Sequence, residues 1–167
     1  MPPAVRAGMK DPMNKITPFL WFNGNAEAAA DFYLTVFPGS RKLNELRCTE
    51  SGPYPVGTLL ALDLELNGQP VTFMNGGPGH PQTDAFSFSV QCDTQSEIDS
   101  YWSQLLADGG SEIACGWLKD KFGVHWQIVP SDIYKLLRHP AAMRAMMAMK
   151  KMEIATLEQA ASQVYAP

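Results

Sequence analysis

The chain has 167 residues, 46% hydrophobic and 18% charged, with a formal net charge of −4 and a pI near 5.3. That length buries about 70% of the surface an unfolded chain exposes, and the composition excludes a disordered protein. No Lys/Arg cluster occurs beyond the pairs Arg41-Lys42 and Lys150-Lys151, which argues against nucleic acid as a partner, and no run approaches the roughly 20 apolar residues of a membrane span.

Three cysteines, Cys48, Cys92 and Cys115, are odd in number, widely spaced and without a C-x-x-C pair. Such a set suits reduced thiols in the cytoplasm better than a disulfide framework. Residues 1–13 have Arg6 and Lys10 but no apolar h-region, so they read as a flexible leader and not a secretory signal.

Residues 16–22 are β-formers with Pro18 near their start, the first expected strand. Asn25 is placed as the N-cap of a helix whose apolar positions, Ala26, Ala29, Ala30, Tyr33, Val36 and Phe37, recur at three-and-four spacing until Pro38-Gly39. Residues 41–49 form a weaker strand. In residues 58–66 leucines at 60, 62, 64 and 66 alternate with Leu59, Ala61, Asp63 and Glu65. Asp63 and Glu65 read as a solvated strand face. Asn67-Gly68 is a hairpin turn that returns the chain through residues 71–75. These elements make a first βαβββ module, residues 14–79.

The order then repeats as a second module, residues 80–130. Phe86, Phe88 and Val90 alternate with Ala85, Ser87, Ser89 and Gln91. Thr94-x-x-Glu97 is a capping box, and Ile98, Trp102, Leu105 and Leu106 give a helical stripe closed by Gly109-Gly110. Strands are expected at 111–118 and 124–129, joined by a type I turn in which Asp120 and Gly123 take the first and fourth places. In the last strand Val124, Trp126 and Ile128 alternate with His125, Gln127 and Val129. One face is wholly apolar and the other half polar, which makes the half-polar face a place to hold a small ligand. Residues 131–167 read as a helical tail. It is opened by Ser131 or Asp132, interrupted at Pro140 and rich in methionine (Met143, Met146, Met147, Met152), with Thr156-x-x-Gln159 as a further cap. The tail is either core cover or a dimer contact.

Four segments carry a resemblance: Pro18-Phe-Leu-Trp-Phe-Asn-Gly-Asn-Ala-Glu-Ala-Ala-Ala-Asp-Phe-Tyr33, Phe86-Ser-Phe-Ser-Val90, residues 115–130, and Met149-Lys-Lys-Met-Glu-Ile-Ala-Thr-Leu-Glu158. Together they resemble the PhnB-like proteins of the glyoxalase/bleomycin-resistance/extradiol-dioxygenase, or vicinal oxygen chelate, superfamily, over residues 14–162. The resemblance implies an α+β fold with two βαβββ modules forming a curved mixed sheet, C-terminal helices, and a homodimer. It settles no reaction, and the methyltransferase label attached to the group has no glycine-rich strand-to-helix loop to support it here. The metal-ligand positions of the superfamily fall on Thr17 or Pro18, Phe73 or Met74, Ala85, and Gln127. Only Gln127 is a credible ligand, whereas catalytic zinc takes about three from His, Cys and carboxylate.

The expected ligand-binding residues are Trp21, Ser87, Ser89, Cys115, Trp117, His125 and Gln127. Strand parity puts Ala85, Ser87, Ser89 and Gln91 on the same side as His125, Gln127 and Val129, with Phe86, Phe88 and Val90 packed under the helix. Trp126 reads as core, while Trp117 beside Gly116 is open to either use. His125 reads as structural or ligand-orienting, and no carboxylate is placed to make it a general base. Cys115 reads as a small buried hydrophobe. His80 and His139 read as surface residues. The function expected is a metal-independent small-molecule-binding protein with no cofactor, cytoplasmic and homodimeric. The alternative is an enzyme of the same superfamily with isomerase, lyase or transferase chemistry at an atypical or metal-assisted site.

Overall fold

The computed structural model describes residues 15–163, and the expected leader lies outside them. The chain divides into two compact units with the boundary between Pro81 and Gln82. In the first unit β1 (Phe19–Phe22), α1 (Ala26–Val36), β2 (Arg41–Arg47), β3 (Leu59–Leu66) and β4 (Gln69–Asn75) follow in sequence, and the sheet order is β1-β4-β3-β2. β1 and β4 run parallel while the other neighbours are antiparallel.

Cross-strand register explains the core of this unit. Leu20 pairs with Phe73, and Phe73 with Leu62, so all three side chains leave one face of the sheet. That face meets α1 through its alanines: Ala26, Ala29, Ala30 and Tyr33 are wholly buried, and the Tyr33 ring stands edge-on to Phe73 at 5.8 Å. Small side chains let the helix lie close, and one large ring fills the remaining gap. The β3–β4 turn is of the mirror-image hairpin type, with both Asn67 (φ 45°) and Gly68 (φ 83°) left-handed.

Asn25 precedes α1 but its side chain caps nothing. The Ala26 N–H donates instead to Oδ1 of Asn75 at 2.9 Å, while Nδ2 of Asn75 donates to the Leu59 carbonyl at 3.1 Å. The cap therefore comes from β4, a partner 49 residues away that local spacing cannot reveal.

The second unit holds β5 (Phe88–Cys92), α2 (Gln95–Leu106), β6 (Ser111–Glu112), β7 (Trp117–Lys119) and β8 (His125–Pro130), in the sheet order β5-β8-β7-β6. Element by element it has the first unit's topology, again with one parallel pair, β5 and β8. The capping box of α2 forms as expected, Thr94 Oγ1 accepting from the Glu97 N–H and Glu97 accepting from the Thr94 N–H. The single strand expected over 111–118 is broken. Cys115 (φ 54°) and Gly116 (φ 80°) are both left-handed, and the Trp117 N–H turns back to the Ala114 carbonyl at 3.0 Å.

A helical tail follows: α3 (Ile133–Leu136), α4 (Pro140–Met147, Pro at its first turn) and α5 (Ile154–Ala161). The cap expected at Thr156-x-x-Gln159 is not one, because α5 already starts at Ile154 and Thr156 lies inside it. Its first N–H donates to Oε1 of Gln95 at 2.8 Å, and Nε2 of Gln95 donates to the Met152 carbonyl at 2.9 Å. One glutamine on α2 thus satisfies both polarities of the tail backbone. Met152, Leu157 and Ala160 are buried, so this part of the tail is core cover, whereas Met143 and Met147 stay exposed.

The tail is also tied down by charge. The Lys151 ammonium, and after it the Gln95 amide, hold the Asp99 carboxyl below the usual carboxylate range. A lowered carboxyl contributes stability above its unfolded value and loses it as pH falls through the folded one. Acidification from pH 6 towards pH 3 is expected to reduce amide protection over residues 152–161, after correction for intrinsic exchange. In Lys151→Met that pH dependence should largely vanish, as hydrogen exchange by mass spectrometry would read.

Candidate functional site

The hairpin β7–β8 is built around one carboxylate. Asp120 is 1% exposed; its Oδ1 accepts from the N–H groups of Phe122 (2.8 Å) and Val124 (3.1 Å), and its Oδ2 accepts from the Trp126 indole at 2.8 Å. The Gly123 N–H closes the turn on the Asp120 carbonyl at 3.0 Å, with Gly123 at φ 85°. Asp120 thus sets the turn and, through Trp126, the face of β8 that packs on α2. Leu118, Trp126 and Ile128 on that face are almost fully buried, and Phe88 lies against the Trp126 ring at 5.0 Å.

The opposite face follows from register. Trp117 is directly across from Gln127, Lys119 from His125, and Gln127 from Ser89 on β5. Nε2 of Gln127 donates to the Ser87 hydroxyl at 2.9 Å. The structure therefore brings Ser87, Ser89, Trp117, His125 and Gln127 to one face, with Lys119 as their cation. Lys119 is the member that sequence reasoning passed over. Its cue was parity, two residues after Trp117 in a strand. Ser89 is exposed, Ser87, Trp117 and Gln127 are half-buried, and His125 is buried at 8% exposure.

His125 is the anomaly of this face. Its Nδ1 is enclosed and meets no hydrogen-bond partner among the described residues; leaving a buried polar atom unpaired costs on the order of 1–3 kcal/mol. Buried polar atoms without partners are rare enough in native folds to call for an explanation.

Two expected members fall elsewhere. Trp21 belongs to the first unit, on the face of β1 turned away from α1, where its indole donates to the Gly77 carbonyl at 2.8 Å and its ring meets the exposed His80 at 4.4 Å. His80 is a surface residue with a specific neighbour. Asp63 shares the corresponding face of its sheet and accepts from the Thr72 hydroxyl at 2.7 Å, so it is bonded within the face and not merely solvated.

Cys115 is half-exposed and not the buried hydrophobe expected, since the left-handed turn at 115–116 lifts it out of the strand; its thiol lies 3.9 Å from the Met147 sulfur. Phe86, expected under α2, precedes β5 and is 46% exposed, reaching only the edge of the Phe88 ring. Cys92 is buried, and desolvation, with Glu97 and Asp93 adding, pushes its thiol up to about 11, away from nucleophilic use at neutral pH.

The positions where the superfamily places metal ligands carry unsuitable side chains here. Phe73 is turned into the core under α1, Met74 lies on the other face of β4, Ala85 has no donor atom, and the Gln127 amide is bonded to Ser87. Among the described residues no group of three or more His, Cys, Asp or Glu side chains could hold a metal ion. This donor set does not fit a divalent cation held in the superfamily's manner.

Two βαβββ units with the same strand order, each with a helix on one face and a polar-edged opposite face, define a vicinal oxygen chelate fold. Solved structures agree: a PhnB protein from Bacillus cereus, carrying the description 3-demethylubiquinone-9 3-methyltransferase, is 36% identical, with TM-score 0.62 over 70% of this chain and 99% of that one. A Pseudomonas aeruginosa protein (22% identity, TM-score 0.56, 69% and 96% covered) and the fosfomycin resistance protein of Mesorhizobium loti (11%, 0.56, 75% and 98%) share the fold. The family model described as 3-demethylubiquinone-9 3-methyltransferase matches residues 14–129, and the chain belongs to that family. No curated protein matches. Among the described residues no helix is long and apolar enough to cross a membrane.

Proposed function

We propose that this protein binds a small organic molecule on the face of β5, β7 and β8 turned away from α2, without a resident metal ion. The observation that carries the reading is the convergence, on one strand face, of His125 and the amide and hydroxyl groups of Gln127, Ser87 and Ser89 beside the half-buried Trp117 ring. A few convergent polar groups next to an apolar plate are what a ligand site offers. The chemically unsuitable side chains at the superfamily's ligand positions support the absence of a metal role.

The test is a compound screen read by tryptophan fluorescence, with elemental analysis of the purified protein. Hits should bind equally well before and after chelator treatment, and His125→Ala should weaken them about tenfold, the loss of one good hydrogen bond in a desolvated site. Stoichiometric zinc, iron or manganese that restores lost binding would overturn the metal-free reading.

Methyl transfer is the activity that the family's description suggests. It requires a site for a methyl donor, and an assay for donor binding decides it. The exposed Tyr134, Met143 and Met147 support a homodimer through the tail. Replacing both Met143 and Met147 by Glu should halve the mass in light scattering if they form that contact. Three free cysteines go with a reducing, cytoplasmic setting.

A further inference from the structure

We propose that the face formed by β7 and β8 selects organic anions, specifically a flat or aromatic carboxylate, with Lys119 and His125 taking the carboxylate and Trp117 the ring. This rests on the small-molecule reading above and adds the chemical class of the ligand. Lys42, Lys121, Lys150 and Lys151 each have a carboxylate within 4 Å. Lys119 has no such ion pair among the described residues, although acids lie close to it in sequence. Those acids are committed elsewhere: Asp120 to the turn and to Trp126, Glu112 to the Trp102 indole and Lys150, Asp108 to Lys121. Among the described residues the cation on this face is thus left without an ion pair.

The second strand of argument is register. Lys119 and His125 are directly opposed on antiparallel strands, so their Cβ atoms are about 5 Å apart and both side chains can reach one carboxylate. Nδ1 of His125 is enclosed without a partner. A buried N–H left unpaired is rarer than a bare lone pair, so the enclosed Nδ1 is best read as the lone pair and Nε2 as the N–H offered to a ligand. One strand position pair further, Trp117 opposes Gln127, and the indole plate lies beside an amide already oriented by Ser87. A charged head met by two donors, followed by a ring against an indole, is the outline of an aromatic acid.

The experiment uses the full-length chain labelled with ¹⁵N and two probes of one shape, 1-naphthoate and its neutral amide, 1-naphthamide. Naphthoate is expected to shift the Trp117 indole and Gln127 amide signals and to bind at least about fivefold more tightly than naphthamide, the scale of one partly exposed charge pair. Lys119→Gln should bring naphthoate binding down to the level of naphthamide, while Lys119→Arg should keep most of the preference. Lys119 is exposed, so these variants are expected to fold. If both probes bind equally and Lys119→Gln alters neither, the anion class is wrong and the small-molecule site stands. If neither probe moves the Trp117 or Gln127 signals, both readings fall.

Discussion

Asp120→Ala is expected to cost about 3–5 kcal/mol of unfolding free energy, the range for removing one partner of a buried charged network. The loss is large because three donors are stranded together: the Phe122 and Val124 amides and the Trp126 indole, all within 3.1 Å of a carboxylate that is 1% exposed. Asp120→Asn separates charge from shape. Its amide oxygen can keep the two backbone bonds, but its NH₂ group would face the indole N–H, donor against donor, so an intermediate loss of roughly 2 kcal/mol is expected. Urea unfolding followed by tryptophan fluorescence measures both. A loss below about 1 kcal/mol for the alanine variant would show that water replaces the carboxylate and that the hairpin is not organised around it.

Gly116→Ala is expected to cost on the order of 3 kcal/mol, from left-handed strain and overpacking together. Gly116 sits at φ 80°, and a Cβ there would lie 2.9 Å from the Ile128 carbonyl and 3.0 Å from the Met152 side chain. Neither neighbour yields easily. The carbonyl is backbone of β8, and Met152 is 1% exposed under the tail. The same glycine donates to the Lys150 carbonyl at 2.7 Å and accepts from the Ile128 N–H at 2.8 Å, so it joins β8 to the tail. Amide exchange should therefore quicken at Cys115 and Gly116 in this variant as its thermal midpoint falls. Unchanged exchange at those two amides would mean that the tail docks through α5 alone.

Much of the architecture can be read along the chain because the deciding interactions are short. The Thr94 capping box closes over three residues, the Asn67-Gly68 turn over two, and the Asp120 turn over four; each forms as its residue types require. The alanine stripe of α1 and the Ile98, Trp102, Leu105 stripe of α2 are buried as their spacing demands. Strand parity also ran true from Ser87 to Gln127, because alternation is a local property of extended backbone.

What failed did so where the partner was distant. Asn25 has the chemistry of a cap but loses the place to Asn75, and Thr156 loses it to a helix begun earlier with Gln95 as its acceptor. Cys115 has the polarity of a core residue but sits on a left-handed turn that exposes it.

By itself, then, the order of residues determined the first βαβββ repeat, the second but for the break at Cys115-Gly116, and which side chains share a strand face, since these depend on neighbours within about one turn or one hairpin. Tertiary structure alone decided which polar groups end up partnered. Among the described residues Lys119 goes without a counter-ion, since Asp120, Glu112 and Asp108 are drawn to other donors, and the Nδ1 of His125 is enclosed without a partner. Burial and pairing are sums over residues remote in sequence, and two groups of the candidate site are what those sums left unmatched among the described residues.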